Sequence, residues 1–316
     1  MLESLPVLII TYNRPEKFRL LLERCRLLEI RKIYVAIDGS DDLWLQKSYA
    51  NVLKEFGSEY SGELLVLQRE LNLGLAVSVI TAIDRFFEIE EKGIILEDDL
   101  YFEKEFLKFC YDSLLKFEKD SKVFMVSGNQ FFTQQMEIGS ISFGYYPLIW
   151  GWATWQNRWK IFRSCLEDNS VLDTPSRVPS KVKFFWLMGA KRALAGEVKS
   201  WAILFATFLR FREHICIYPC ANLVSNTGND ASASHTRNSH WTLNLPIMHS
   251  KVVNFDLSNA LNITKKIENN VYAIKVRHYF FRFRLAPSVI ARLRESKSTL
   301  LSSLNKAPIG KFEIYE

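Results

Sequence analysis

The chain has 316 residues, of which 48% are hydrophobic, 14% aromatic and 24% charged. That balance excludes a disordered chain, a collagen-like repeat and a polar array, and it requires a large packed core. The formal net charge of +6 is concentrated in 275–297, KVRHYFFRFRLAPSVIARLRESK, where seven Lys and Arg stand against Glu295 alone, so the rest of the chain is close to neutral.

The first 130 residues alternate two periodicities. PVLIIT (6–11), IYVAI (33–37), LLVL (64–67), GIIL (93–96) and VFMVS (123–127) are nearly continuous apolar runs, the pattern of strands buried on both faces. Between them lie helical spacings. Phe18, Leu21, Leu22, Cys25 and Leu28 follow Pro15; Ala76, Val79, Ile80, Ile83, Phe86 and Phe87 form a second set, and Phe106, Phe109, Leu114 and Phe117 a looser third. Such alternation predicts an α/β fold with a doubly wound, mostly parallel sheet and ligands at the carboxyl ends of its strands. From 139 to 238 the spacing turns irregular and rich in Trp. No apolar run reaches the ~18–20 residues of a membrane-spanning helix, and 201–209, between Lys199 and Arg210, reads as a core helix. MLESLPVLIITYNRP lacks the features of a secretion signal. The cysteines, Cys25, Cys110, Cys165, Cys216 and Cys220, are odd in number and do not complete a zinc site, which suits reduced thiols in a cytoplasm.

The residues after each apolar run are those that would face a ligand. They are Thr11-Tyr12-Asn13-Arg14, then Asp38-Gly39-Ser40, then Asn72-Leu73-Gly74, then Glu97-Asp98-Asp99. One such cluster is an ordinary turn; four in succession on one sheet edge describe a polar crevice. The phosphate-cradling glycine loops GxxxxGK[ST] and GxGxxG are missing, which argues against a P-loop nucleotidase and a dinucleotide oxidoreductase. Three adjacent carboxylates repel one another unless a positive group sits among them. Mg²⁺ or Mn²⁺, bound through one carboxylate plus substrate phosphates, would meet that need.

TYNRPEKFRLLLE, IDGS, NLGL and ILEDDL, in this order, resemble the nucleotide-diphospho-sugar transferases of the GT-A glycosyltransferase fold. The glutamate-first EDD resembles the N-acetylglucosaminyltransferase I branch and related bacterial family-two-like enzymes. GWATWQNRW (151–159) and LVSNTGNDASASHT (223–236) resemble a bacterial subgroup labelled haemolytic-protein-like sugar transferases. The resemblance covers residues 5–238. It implies a catalytic domain over 1–240, with a nucleotide-sugar half (1–135) and an acceptor half (136–240), followed by a basic extension (241–316).

Carried over by position, the resemblance implies a nucleotide-sugar site. Thr11, Tyr12, Asn13 and Arg14 would line the base and diphosphate pocket, and Asp38 would accept from the ring nitrogen of a uracil. Asn72 and Gly74 would close over the nucleotide, glycine allowing close backbone approach. Glu97 would touch the donor sugar, Asp98 the ribose and Asp99 the metal, with His235 near the metal or diphosphate. Sugar transfer also needs a base for the acceptor hydroxyl. Related sequences carry Asp where this chain has Lys199, which leaves Glu197 and Asp230 as candidates. Trp152, Trp155 and Trp159 read as one buried helix face, with Trp152 equally placed to stack on an acceptor sugar.

The expected protein is thus a metal-dependent hexosyl- or N-acetylhexosaminyltransferase of envelope polysaccharide synthesis, cytoplasmic and inverting. It would move a sugar from a uridine diphosphate donor to a glycan or lipid-linked acceptor. Arg and aromatic residues interleave in 275–297, which predicts peripheral attachment to an anionic membrane; no motif suggests nucleic acid. A catalytically silent sugar-nucleotide-binding protein, or a sugar nucleotidyltransferase, is the alternative.

Overall fold

The computed structural model describes residues 5–130, 141–173, 180–219, 221–228, 246–247, 260–261, 299–308 and 310–315. Strands β1 (Val7–Thr11), β2 (Lys32–Ile37), β3 (Glu63–Gln68) and β4 (Lys92–Glu97) pair in parallel in the order β3-β2-β1-β4. Each is one of the apolar runs, and the alternation of its side chains divides the core in two. Leu8, Ile10, Tyr34, Ala36 and Ile95 join one buried cluster, while Val7, Ile9, Ile33, Val35 and Ile94 join the other.

Helices cover both faces. α1 (Pro15–Leu27), with Pro at its start, and α2 (Leu43–Glu59) pack on the Val7 face; α3 (Leu75–Ile89) packs on the Leu8 face. The change of face follows the change of strand order. After β3 the chain crosses back over β1 to its other side, so β1 and β4 lie side by side where the order reverses. In open α/β sheets the crevice at such a reversal is where ligands bind.

Beyond β4 the sheet becomes mixed. Tight β5 (Leu100–Phe102) is followed by α4 (Lys104–Lys116) and β6 (Val123–Ser127). β7 (Ile141–Gly144), β8 (Trp152–Trp155) and β9 (Ile215–Pro219) extend the sheet; β8 runs antiparallel between β4 and β6, and β9 runs parallel to β6. α5 (Gln156–Glu167), α6 (Ser180–Leu194) and α7 (Trp201–Phe211) lie between β8 and β9 in the chain, α7 being the expected core helix. β10 (Val224–Asn226) leaves the main sheet and pairs with β5. The last elements return to the main sheet and its helices. β11 (Ala260–Leu261) adds to β7, α8 (Thr299–Lys306) buries Leu300 and Leu304 in the Leu8 cluster, and β12 (Glu313–Ile314) pairs antiparallel with the outer edge of β3. Phe312 packs edge-on against Tyr34 at 4.9 Å. α8, Phe312 and β12 are therefore part of the sheet's own packing, and 275–297 lie outside the described residues.

One expectation is corrected here. Trp152, Trp155 and Trp159 do not share a helix face, because Trp152–Trp155 is a strand in which odd separations point to opposite sides. Trp152 and Trp159 enter one core cluster and Trp155 the other. Trp152 is 1% exposed, stacked on Trp201 at 5.8 Å and tilted on Phe205, so it has no free face for a sugar ring.

Candidate active site

The strand reversal sets β1 and β4 in register, Ile10 opposite Glu97, so the loop after β1 and the turn after β4 emerge together. The turn, Glu97-Asp98-Asp99, passes at once into β5 and has little room to splay its carboxylates. Thr11 Oγ1 donates to Asp98 Oδ2 (2.6 Å), and Thr11 Oγ1 and the Tyr49 hydroxyl are 2.6 Å apart. Arg14 Nη1 donates to Asp99 Oδ2 at 2.7 Å and lies 3.9 Å from Asp98 Oδ1. On the far side Asn226 Nδ2 donates to Asp99 Oδ1 (3.1 Å).

The electrostatics follow from that crowding. Burial, and then the neighbouring Asp99 charge, raises Asp98 to about 7, against the pull of the Thr11 hydrogen bond and Arg14. Glu97 is raised by burial first, then by Asp99 and Asp98, with Arg14 opposing. Among the described residues the turn is a concentration of carboxylates with Arg14 as its close cation.

Next to it, at the carboxyl ends of β1–β3, lies a cleft of about 310 Å³ lined by Tyr12, Ile37, Asp38, Ser40, Leu45, Gln46, Tyr49, Gln68, Arg69 and Glu70. α2 begins at its wall, capped by Asp42, whose carboxylate accepts from the amides of Trp44 and Leu45. Asp38 is 5% exposed and accepts from the amides of Gly39 (3.1 Å), Leu73 (3.0 Å) and Gly74 (3.1 Å), tying the loop before α3 to the end of β2. Asn72 donates to the Tyr12 hydroxyl at 2.6 Å, joining that loop to β1. Gly74 is required for its φ of +76° rather than for close approach, since a Cβ there would meet nothing.

Arg69, 6% exposed, donates to Ser78 Oγ (2.8 Å) and Thr81 Oγ1 (2.7 Å); its buried Nε has no partner among the described residues. Burial lowers its pKa, with the Asp38 charge opposing.

The fold thus gathers Thr11, Tyr12, Arg14, Asp38, Asn72, Gly74, Glu97, Asp98 and Asp99 on one sheet edge. Glu197 pairs with Arg192 Nε at 3.0 Å, at the end of α6, and Lys199 is exposed beside it. Asp230 and His235 lie outside the described residues. Sequence reading missed Tyr49, Arg69 and Asn226. Arg69 had a signal, since Gln68-Arg69-Glu70 directly follows the LLVL run.

A divalent cation can be tested against these donors. Among the described residues no group of three or more His, Cys, Asp or Glu is arranged to hold a metal. Asp99 nevertheless keeps lone pairs, because each of its oxygens accepts one hydrogen bond. The oxygens fit Mg²⁺ or Mn²⁺ in a site completed by substrate phosphates.

No protein-family model and no curated protein matches the chain. Solved structures with some likeness include a candidate glucose-1-phosphate thymidylyltransferase from Bacillus anthracis in complex with a sucrose. It is 8% identical with a TM-score of 0.40, over 71% of this chain and 89% of its own. HddC from Yersinia pseudotuberculosis is 10% identical with a TM-score of 0.31, over 49% of this chain and 78% of its own. Its complex with GMP-PN gives 0.30 over the same shares.

Proposed function

We propose that the chain is a glycosyltransferase that takes its sugar from a nucleoside diphosphate, uridine above all, on a GT-A-like sheet. One observation carries this reading: a single loop, 11–14, serves both the cleft and the acid turn. Tyr12 lines the cleft and Arg14 pairs with Asp99, two residues on. A nucleoside diphosphate has the matching layout, a flat base and a diphosphate held one ribose apart. The cleft has the volume of a small-ligand pocket. The carboxylate of Asp38, at the wall of that cleft, offers an acceptor that matches the ring N–H of uracil.

In this reading Arg14 turns from Asp99 to the diphosphate as the leaving group gathers charge. A divalent cation at Asp99 would neutralise that diphosphate. Thr11 and Tyr49 hold Asp98 toward the ribose, and Glu97 faces the donor sugar. Glu197 and Asp230 are the acids proposed for the base. Changing the true base to its amide should cost ~10²–10⁴ in rate with donor binding kept. The acceptor is proposed to be a glycan or lipid-linked sugar, reached from an anionic membrane face through 275–297. Full-length chain should float with anionic but not neutral vesicles, and equal flotation with both would remove the membrane claim.

The fold class also suits a nucleotidyltransferase, although the loop after β1, Tyr12-Asn13-Arg14-Pro15, carries no glycine. Product analysis separates the two. Incubation with a panel of nucleoside-diphosphate sugars should release UDP from a uridine donor. Pyrophosphate released from a nucleoside triphosphate plus a sugar phosphate would overturn the proposal.

A further inference from the structure

We infer that Asn226 is a positioning residue that sets the orientation of Asp99, with Gly228 completing the clamp; this rests on Asp99 serving the cation and diphosphate as proposed above. Asn226 ends β10, and its pairing opposite Leu100 of β5 brings it beside the acid turn, 127 positions away from Asp99 in the chain. It is 6% exposed, and both ends of its amide are used. Nδ2 donates to Asp99 Oδ1 at 3.1 Å, while Oδ1 accepts from the Gly228 amide at 2.8 Å. Those partners determine which way the amide faces: the donor end meets the carboxylate because the acceptor end is taken by an N–H.

The following residue grips the main chain. The Thr227 amide and hydroxyl both donate to the Asp99 carbonyl, at 2.8 Å and 2.9 Å. Lys17 Nζ, from α1, donates to the Thr227 carbonyl at 2.5 Å. Gly228 then lies against the carboxylate itself. A Cβ there would collide with Asp99 Oδ2 and stand 2.9 Å from Asn226 Oδ1, so another residue would have to displace the very group being held.

The two oxygens of Asp99 are thus held by partners of different kinds. Oδ2 is held by Arg14, a cation that an arriving diphosphate attracts; Oδ1 is held by a neutral, buried amide that an anionic ligand attracts less strongly. When Arg14 turns away, Asn226 keeps the carboxylate aimed. Partners that orient a metal-binding carboxylate typically change metal affinity 10–100-fold when removed.

The test uses the full-length chain with two titrations: Mn²⁺ in the presence of saturating UDP, followed by paramagnetic resonance of the free ion, and UDP without metal, followed by calorimetry. Asn226→Ala is expected to weaken Mn²⁺ by ~10–100-fold and to leave metal-free UDP affinity at the wild-type value. Gly228→Ala keeps the amide and disturbs Asp99 from the other side, and should show the same selective loss. Wild-type Mn²⁺ affinity in both variants overturns the inference. So does an equal drop in both titrations, the mark of a merely structural strap. Asp99→Ala separates the two levels: wild-type Mn²⁺ affinity there refutes the underlying reading of Asp99, whereas a loss there with Asn226→Ala unaffected refutes the clamp alone.

Discussion

The carboxyl edge of β1–β4 and the aromatic cluster behind β8 both contain residue types that recognise nucleotides and sugars, yet the fold uses them in opposite ways. At the strand edge, buried Asp38 and Arg69 line an open cleft, and buried Asp98 and Asp99 crowd each other in the turn beside it. Behind β8, Trp152, Trp159, Trp201 and Phe205 pack on one another, stacked, tilted or edge-on, with ring centroids 5.6–6.4 Å apart, and are almost wholly buried. The lesson is that residue type marks a candidate, while the remaining capacity to bind decides the role. A carboxylate crowded by its own kind has an unmet demand; an indole enclosed by indoles has none.

That contrast can be broken by substitution. Trp152→Ala should cost about 3–5 kcal/mol of stability, as removal of a buried aromatic does, measured by urea unfolding. Nucleotide affinity of the fraction still folded should be unchanged, and a loss of affinity without a loss of stability would move Trp152 to the site. Asp99→Ala should do the reverse, with turnover falling ~10²–10³-fold, as for a lost charge-stabilising group, and unfolding hardly altered. An unaffected rate in the presence of chelator would contradict it.

Asp38 stands on the border between the two behaviours. It lies in the cleft but also accepts from three backbone amides, so Asp38→Ala should lose about 1–3 kcal/mol and nucleotide affinity together. Loss of only one would assign it wholly to the other role.

The smallest effect belongs to His214, stacked on Phe124 with centroids 3.5 Å apart and lowered from 6.5 to about 4, by burial first and then by Arg212. The folded state holds it neutral, so the unfolded chain gains its proton first as pH falls. Stability present above pH 6.5 should therefore decline through that value and lose this contribution fully below about 4. His214→Phe should flatten that part of the profile, and an unchanged slope would remove the claim.

The first 130 residues were largely legible in the sequence, because strands buried on both faces leave continuous apolar runs and the polar residues after them must lie at the carboxyl edge of the sheet. α2 was not read, although Leu45, Tyr49, Val52, Leu53 and Phe56 have helical spacing; the exposed Leu43 and Trp44 blur its apolar face. β8 was misread because two tryptophans three apart fit a helix face as well as a short strand between two others. Tyr49 and Asn226 were invisible for a different reason. Their roles come from hydrogen bonds to Thr11 and Asp99, 38 and 127 positions away, and no local pattern encodes such a meeting.

In the proposed function the cleft and the acid turn form one nucleotide diphosphate site. Hydrogen–deuterium exchange of the full-length chain, with and without UDP and Mn²⁺, tests it most directly. Added protection is expected in four stretches at once: 11–14, the cleft wall at 38–46 and at 68–74, and the turn at 97–99. Protection confined to other segments, or none at saturating UDP, would contradict it.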